Sequence, residues 1–207
     1  MDWDAIKDVG TTVGTIIATL IFAYITIKAK LKQYSLEKKE NIPEKIIKQA
    51  DSDNKIINKM EQTKEILDAD RVLVCEFHNG MHYSNGRSAL KMSTSYEVTR
   101  YGVSRLQQTL QGIPLSLMPN LIGKLLEKGF FIVENIEDFK NLQPEYSICA
   151  KSLKMKSFYN FILQNNVGEP VGFISVDFKI AKKLSQDEQL EISKLSWYIT
   201  EELNKLL

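Results

Sequence analysis

The chain is short of the residue types that build special chemistry. Its 207 residues include only two cysteines, two histidines, two tryptophans, ten glycines and five prolines. Cys75 and Cys149 stand far apart and form no CxxC pair, which argues against a disulfide framework and a zinc site. Both read as small apolar residues in a reducing compartment. An excess of charge of one sign is missing as well. The formal net charge is +1, so no electrostatic footprint for nucleic acid exists. There is no GxSxG elbow, Walker loop, HExxH helix or Rossmann fingerprint. Ser93-Thr94-Ser95 and Ser175-Val176-Asp177 offer hydroxyls and a carboxylate, but a nucleophile needs an oriented base. The reading is non-enzymatic, with no catalytic residue, metal or cofactor expected.

What is present begins with a run free of charge from Val9 to Ile27. At 1.5 Å per residue it would span about 28 Å, close to the hydrocarbon thickness of a bilayer. Asp2, Asp4 and Asp8 outnumber Lys7 ahead of it, against the basic start of a signal peptide. Lys28, Lys30, Lys32, Lys38 and Lys39 follow it. The positive-inside rule then predicts a single-pass protein of the inner or plasma membrane, with the bulk of the chain cytoplasmic. Gly10, Gly14 and Ala18 recur every fourth residue, a small ridge on which two helices approach closely. The membrane and a second copy of the chain are therefore expected partners.

Four segments follow from composition: 1–8, a short N-terminus; 9–27, the membrane helix; 28–68, a charged helical connector; and 69–207, a compact domain. Pro43 should end or kink a helix near Asn41–Ile42. After it, Ile46, Ala50, Ile57, Met60 and Leu67 make an apolar stripe interrupted by Asp53 and Lys64. That stripe suits a helix lying on the domain or a weak dimer stem.

From residue 71 the period shortens to two. Arg71 to His78 reads as a strand ending in an Asn79-Gly80 turn, and Ser88 to Thr99 as a second strand. Ile113 to Lys128 has apolar residues three and four apart, a helix stopped by Gly129. Phe130 to Val133 is a short strand, and Pro144 to Leu153 looks helical. Ser157 to Gln164 and Val171 to Phe178 form a hairpin around Asn165–Pro170. Ser185 and Glu188 make a capping box for a last helix. One antiparallel sheet with flanking helices follows, an α+β domain.

The closing stretch carries a family resemblance. Val171-Gly172-Phe173-Ile174-Ser175, then Leu184-Ser185-Gln186-Asp187-Glu188, resembles the end of GAF domains: a glycine-bearing strand, a loop, and a polar box opening the final helix. The element order agrees over about 45–207; the motif detail covers about the last fifty residues. The PAS fold is the nearest rival. The resemblance implies small-molecule binding or dimerisation, and fold does not fix function. Cyclic-nucleotide-binding members carry an NKFDE motif, which is absent here. Neither Cys75 nor Cys149 sits in a bilin-attachment motif, and two cysteines fit methionine sulfoxide reduction poorly.

One polar constellation stands out: Glu76, His78, Asn79, His82, Tyr83, Asn85, Gly86, Arg87 and Lys91 crowd the first strand end and its loop. In a strand Glu76 and His78 share a face with Val72 and Val74, opposite Leu73, Cys75 and Phe77. As a ligand pocket, Glu76, His78, Asn79 and Arg87 would supply hydrogen bonds and Tyr83, Met92 and Tyr96 the walls. As a surface hairpin, Glu76 would pair with Lys91 or Arg87. His78 and His82 could share a metal only on a helix, which Asn79-Gly80 opposes. The expected function is a membrane-anchored sensory or regulatory module that binds a small ligand or a protein partner. With no output domain expected after residue 207, a signal would leave through oligomerisation, a partner or the membrane helix. The alternative is a membrane-tethered structural or assembly protein. Its small size suits an accessory or phage-encoded role.

Overall fold

The structure, a computed structural model, describes residues 19–32, 42–82, 85–86, 88–139 and 154–206. The chain divides into two units, Met1–Ala50 and Asp51–Leu207. In the first, helix α1 covers residues 19–32. Its apolar part ends at Lys28, followed by Lys30 and Lys32, so only 19–27 of this helix is free of charge. No helix among the described residues is long and apolar enough to cross a membrane. This corrects the expected fold class at its first element and overturns the single-pass, inner-membrane placement. The rest of the Val9–Ile27 run, with Gly10, Gly14 and Ala18, lies outside the described residues.

Helix α2 runs Ile42–Ile66 with Pro43 in its first turn, where a missing N–H costs nothing. From Ser52 onward its buried residues are Ser52, Ile56, Met60 and Thr63, continued by Leu67. Met60 and Leu67 of the expected stripe are buried, whereas Ile57 is 40% exposed and Ile56 packs in its place. Burying Ile56 and Met60 contributes about 1.5–3 kcal/mol each.

Six antiparallel strands make one sheet in the order β3-β2-β1-β6-β5-β4. They are β1 (Arg71–His82), β2 (Ser88–Thr99), β3 (Ile113–Pro114), β4 (Phe130–Val133), β5 (Ser157–Gln164) and β6 (Pro170–Phe178). Between β3 and β4 lie a 3-10 turn at Leu115–Leu117 and helix α3 (Pro119–Lys128). Gly129, at φ 80°, takes the left-handed cap that ends α3. A short α4 (Ile136–Phe139) precedes β5, and α5 (Gln186–Asn204) closes the domain behind the Ser185–Glu188 capping box. The region read as helical at Pro144–Leu153 lies outside the described residues.

Period-two alternation sorts the strands onto two cores. Val72, Val74, Val98, Ile174 and Val176 sit under α2 and α5, with Ile56, Met60, Ile192, Leu195 and Ile199 above them. Leu73, Cys75, Phe173, Phe158 and Phe131 face the other way, under Leu121 and Leu125 of α3. Two polar bonds add direction to the first layer. The Tyr96 hydroxyl donates to Asp53 of α2 at 2.6 Å, and Ser52 donates to Glu202 of α5 at 3.2 Å.

Asn79-Gly80 does not turn. β1 runs on to His82, paired with Ser88, with a register shift after Asn79. Gly80 is needed for close approach instead: an added Cβ would stand 2.1 Å from the Ala89 carbonyl oxygen. The left-handed residue of this connection is Gly86, at φ 79°.

Candidate functional site

The open end of β1 and β2, beyond the cover of α2, is where chemistry gathers. Glu76 stands opposite Ser93 and His78 opposite Lys91, so the four share the face that carries Val74 and Tyr96 further along. His78 Nε2 lies 2.9 Å from Ser93 Oγ, and His78 Nδ1 lies 3.3 Å from the Asn79 carbonyl oxygen. Gly112, entering β3, donates its backbone N–H to the same Ser93 oxygen at 2.9 Å. A carbonyl only accepts, so Nδ1 carries the proton in the neutral ring. Nε2 then accepts from the Ser93 hydroxyl, and one hydroxyl links three strands.

Glu76 is half-buried and pairs with no cation or donor among the described residues. Nor does Lys91 reach it, so the Glu76–Lys91 pairing weighed from the sequence does not form among the described residues. The arrangement offers an incoming molecule an acceptor at Glu76, a cation at Lys91, and an imidazole–hydroxyl pair between them.

The structure brings together only some of the residues singled out for a pocket. Glu76, His78 and Asn79 are contiguous on β1, with His78 and Asn79 exposed. Met92 is buried among Leu73, Cys75 and Phe173 on the opposite face. Tyr96 is on the correct face but belongs to the α2 core and is spent on Asp53. Tyr83 and Arg87 lie outside the described residues. Ser93 and Gly112 complete the site and were not singled out as ligand residues. The Ser93-Thr94-Ser95 run had marked the hydroxyl, but its base sits on another strand, fifteen residues away.

At the opposite end of β1, on the α3 side of the sheet, lies a buried ionic group. Arg71, only 1% exposed, donates to the Asp177 carboxylate at 2.6 and 2.8 Å and approaches Glu97 at 4.0 Å. Ser175 donates to the other Asp177 oxygen at 2.5 Å. Glu97 accepts backbone N–H bonds from Leu106 and Gln107, clipping the loop after β2 to the strand. Every group in this cluster is satisfied from within, so it is a strut, not a ligand cradle. Cys75 is in the same layer. Burial pushes its thiol up to about 12, with a hydrogen bond to Thr94 opposing the shift. It is a poor nucleophile and a poor attachment point. Cys149 lies outside the described residues, among which no three acidic, histidine or cysteine side chains cluster as metal ligands.

No family model matches the chain, and no curated protein matches it. Solved structures do. GAF3 of a Synechocystis sp. PCC6803 protein, in its photoproduct state, superposes with a TM-score of 0.59 at 12% identity, covering 74% of this chain and 94% of that one. The cyanobacteriochrome receptor PixJ gives 0.59 at 14% identity, covering 77% and 99%. A phycocyanobilin-bound GAF domain from a cyanobacterial phytochrome gives 0.57 at 14% identity, covering 74% and 85%. The fold is therefore GAF-like.

Proposed function

We propose that this chain is a GAF-like regulatory module that binds a small polar ligand at the open end of β1 and β2. The observation that carries the reading is Glu76, half-buried and unpaired among the described residues, beside the His78–Ser93–Gly112 relay. A ligand N–H or ammonium group would complete the Glu76 carboxylate, and an acceptor group would meet Lys91. The bilin-bound neighbour shows that the fold can hold a small molecule, although Cys75 is unsuited to attaching one here. The same sheet face that carries Glu76 and His78 also carries Tyr96, which is bonded to α2, so occupancy has a route to the helices. In this reading the site binds its ligand and does not transform it.

Native mass spectrometry of the full chain, purified without added ligand, tests this. The expected result is a retained small molecule that disappears in Glu76→Ala and in His78→Ala, with both variants folded by circular dichroism. A homo-oligomer with nothing bound would instead support an interaction module whose site is empty. A ligand retained equally in both variants would move the site elsewhere.

A further inference from the structure

A hollow lies between the last helix and the β5–β6 turn, two strands across the sheet from Glu76, which pairs with Gly172 as Gly172 pairs with Leu163. It encloses about 390 Å³, within the range of roughly 300–1,000 Å³ typical of small-molecule sites. Trp197, 66% exposed, lines it and belongs to neither core cluster, so its indole presents a face to solvent. Helical spacing explains how it comes to be there. Ile192, Leu195 and Ile199 take the buried stripe of α5, while Ser193, Trp197, Thr200 and Glu201 recur at four, three and one along the opposite side. The core is complete without the indole.

The rim decides the ligand class. Gln164 from the end of β5 faces Ser193, Thr200 and Glu201 across the hollow, and none of the four makes a side-chain hydrogen bond among the described residues. Ser196, by contrast, is spent on the Ile162 carbonyl, and Asn165 on its own turn. The free groups are an amide and two hydroxyls, each both donor and acceptor, with one carboxylate that only accepts. No lysine, arginine or histidine lines the hollow, so phosphates and carboxylates meet only the negative charge of Glu201. A flat apolar platform ringed by mixed donors and acceptors matches a molecule with an apolar ring face and hydroxyls around its edge.

We propose that this hollow is a second binding site, separate from the β1–β2 end, and that it takes a neutral polyhydroxylated ring, a sugar. Stacking on Trp197 supplies the contact area. Gln164 and Glu201 fix the hydroxyls.

The test uses the full chain carrying Trp3→Phe, so that tryptophan emission comes from Trp197 alone. Maltose, cellobiose and N,N′-diacetylchitobiose are titrated separately while emission is followed. At least one should give a saturable change, weakened roughly tenfold or more by Gln164→Ala. Calorimetry with the same disaccharide should detect no binding to Trp197→Ala, and Glu76→Ala should bind it unchanged. Trp197→Ala removes an exposed side chain, so its melting transition should stay in place. Silence with all three probes overturns the proposal. So does equal calorimetric binding by Trp197→Ala, or a change in the sedimentation of the ligand-free chain in that variant, which would make Trp197 a self-association contact.

Discussion

Arg71 illustrates what a single residue can hide. At the head of a strand, a basic residue reads as solvent-facing, and the alternation of Val72, Leu73 and Val74 says nothing against that. Only strand pairing reveals its partner: Arg71 stands directly opposite Asp177. Removing one member of such a pair leaves the other charged and buried, which costs about 3–5 kcal/mol. Asp177→Ala should therefore lower the unfolding free energy obtained from urea titration by that amount, with an unchanged slope. The double replacement Arg71→Met with Asp177→Leu should recover most of it, because no charge is left stranded. A loss in the single variant below about 1 kcal/mol, the level of a solvated pair, would show that water reaches the cluster. The same blindness to pairing applies at the site. Glu76 and His78 were legible from the sequence as polar residues on one strand face. Ser93 was legible only as a hydroxyl, because the histidine that orients it is on the neighbouring strand. Met92 was misplaced for a different reason: the shift in register between Val74 and Cys75 changes which β2 residues share the face of Glu76.

Elements governed by local rules were the most readable. The limits of β2, β4 and β5, the stop at Gly129 and the box at Ser185 each depend on neighbours within four residues. Elements that depend on distant contacts were not. Asn79-Gly80 has turn chemistry, yet pairing with β2 carries the strand past it. The helix expected to begin near Pro114 starts only at Pro119, because Ile113 and Pro114 are drawn onto the edge of β2. The uncharged run at 9–27 satisfied a length rule, while the described helix shows its apolar part closed by three lysines within five residues. The capping box supports a quantitative test. Ser185 accepts from the Glu188 N–H at 3.2 Å, and the Glu188 carboxylate accepts from the Ser185 N–H at 2.8 Å. That second bond holds the Glu188 carboxyl below its usual range, with a minor upward push from burial. A lowered carboxylate stabilises the fold above its unfolded value and loses that contribution as pH falls through the folded one. Ser185→Ala should cost about 0.5–2 kcal/mol at neutral pH. In thermal melts the gap between Glu188→Ala, which removes that carboxylate, and the parent should narrow as pH falls below the usual glutamate range. A gap independent of pH would mean that the hydroxyl acts alone.

Across the whole domain, one sheet separates two different kinds of packing. Its α3 side is apolar apart from the Arg71–Asp177–Glu97 group and the buried Ser175, Thr94 and Asn160. Its other side bears α2 and α5, and it alone continues out to Glu76 and His78. A change at the open end therefore has a mechanical neighbour in α2, through β2. The connection is concrete: Ser93 and Tyr96 lie three residues apart on β2, and the Tyr96 hydroxyl is fixed to Asp53 at 2.6 Å. Tyr96→Phe deletes that bond while leaving the ring in the core, where it packs with Val74 and Ile56. A hydrogen bond to a charged group contributes about 1.5–3 kcal/mol when intact, and Asp53 stays partly solvated after the change, so the net loss should fall near the lower end. The more telling readout is regional. Hydrogen exchange in Tyr96→Phe should accelerate in α2 from Ser52 to Ile66, where protection depends on docking to the sheet, and remain unchanged in β4 and β5. If the ligand proposed for the Glu76–His78 end slows α2 exchange in the parent chain, it should do so less in Tyr96→Phe. Uniform acceleration across all six strands would mean that the bond supports the domain globally and gives the sheet no separate route to α2.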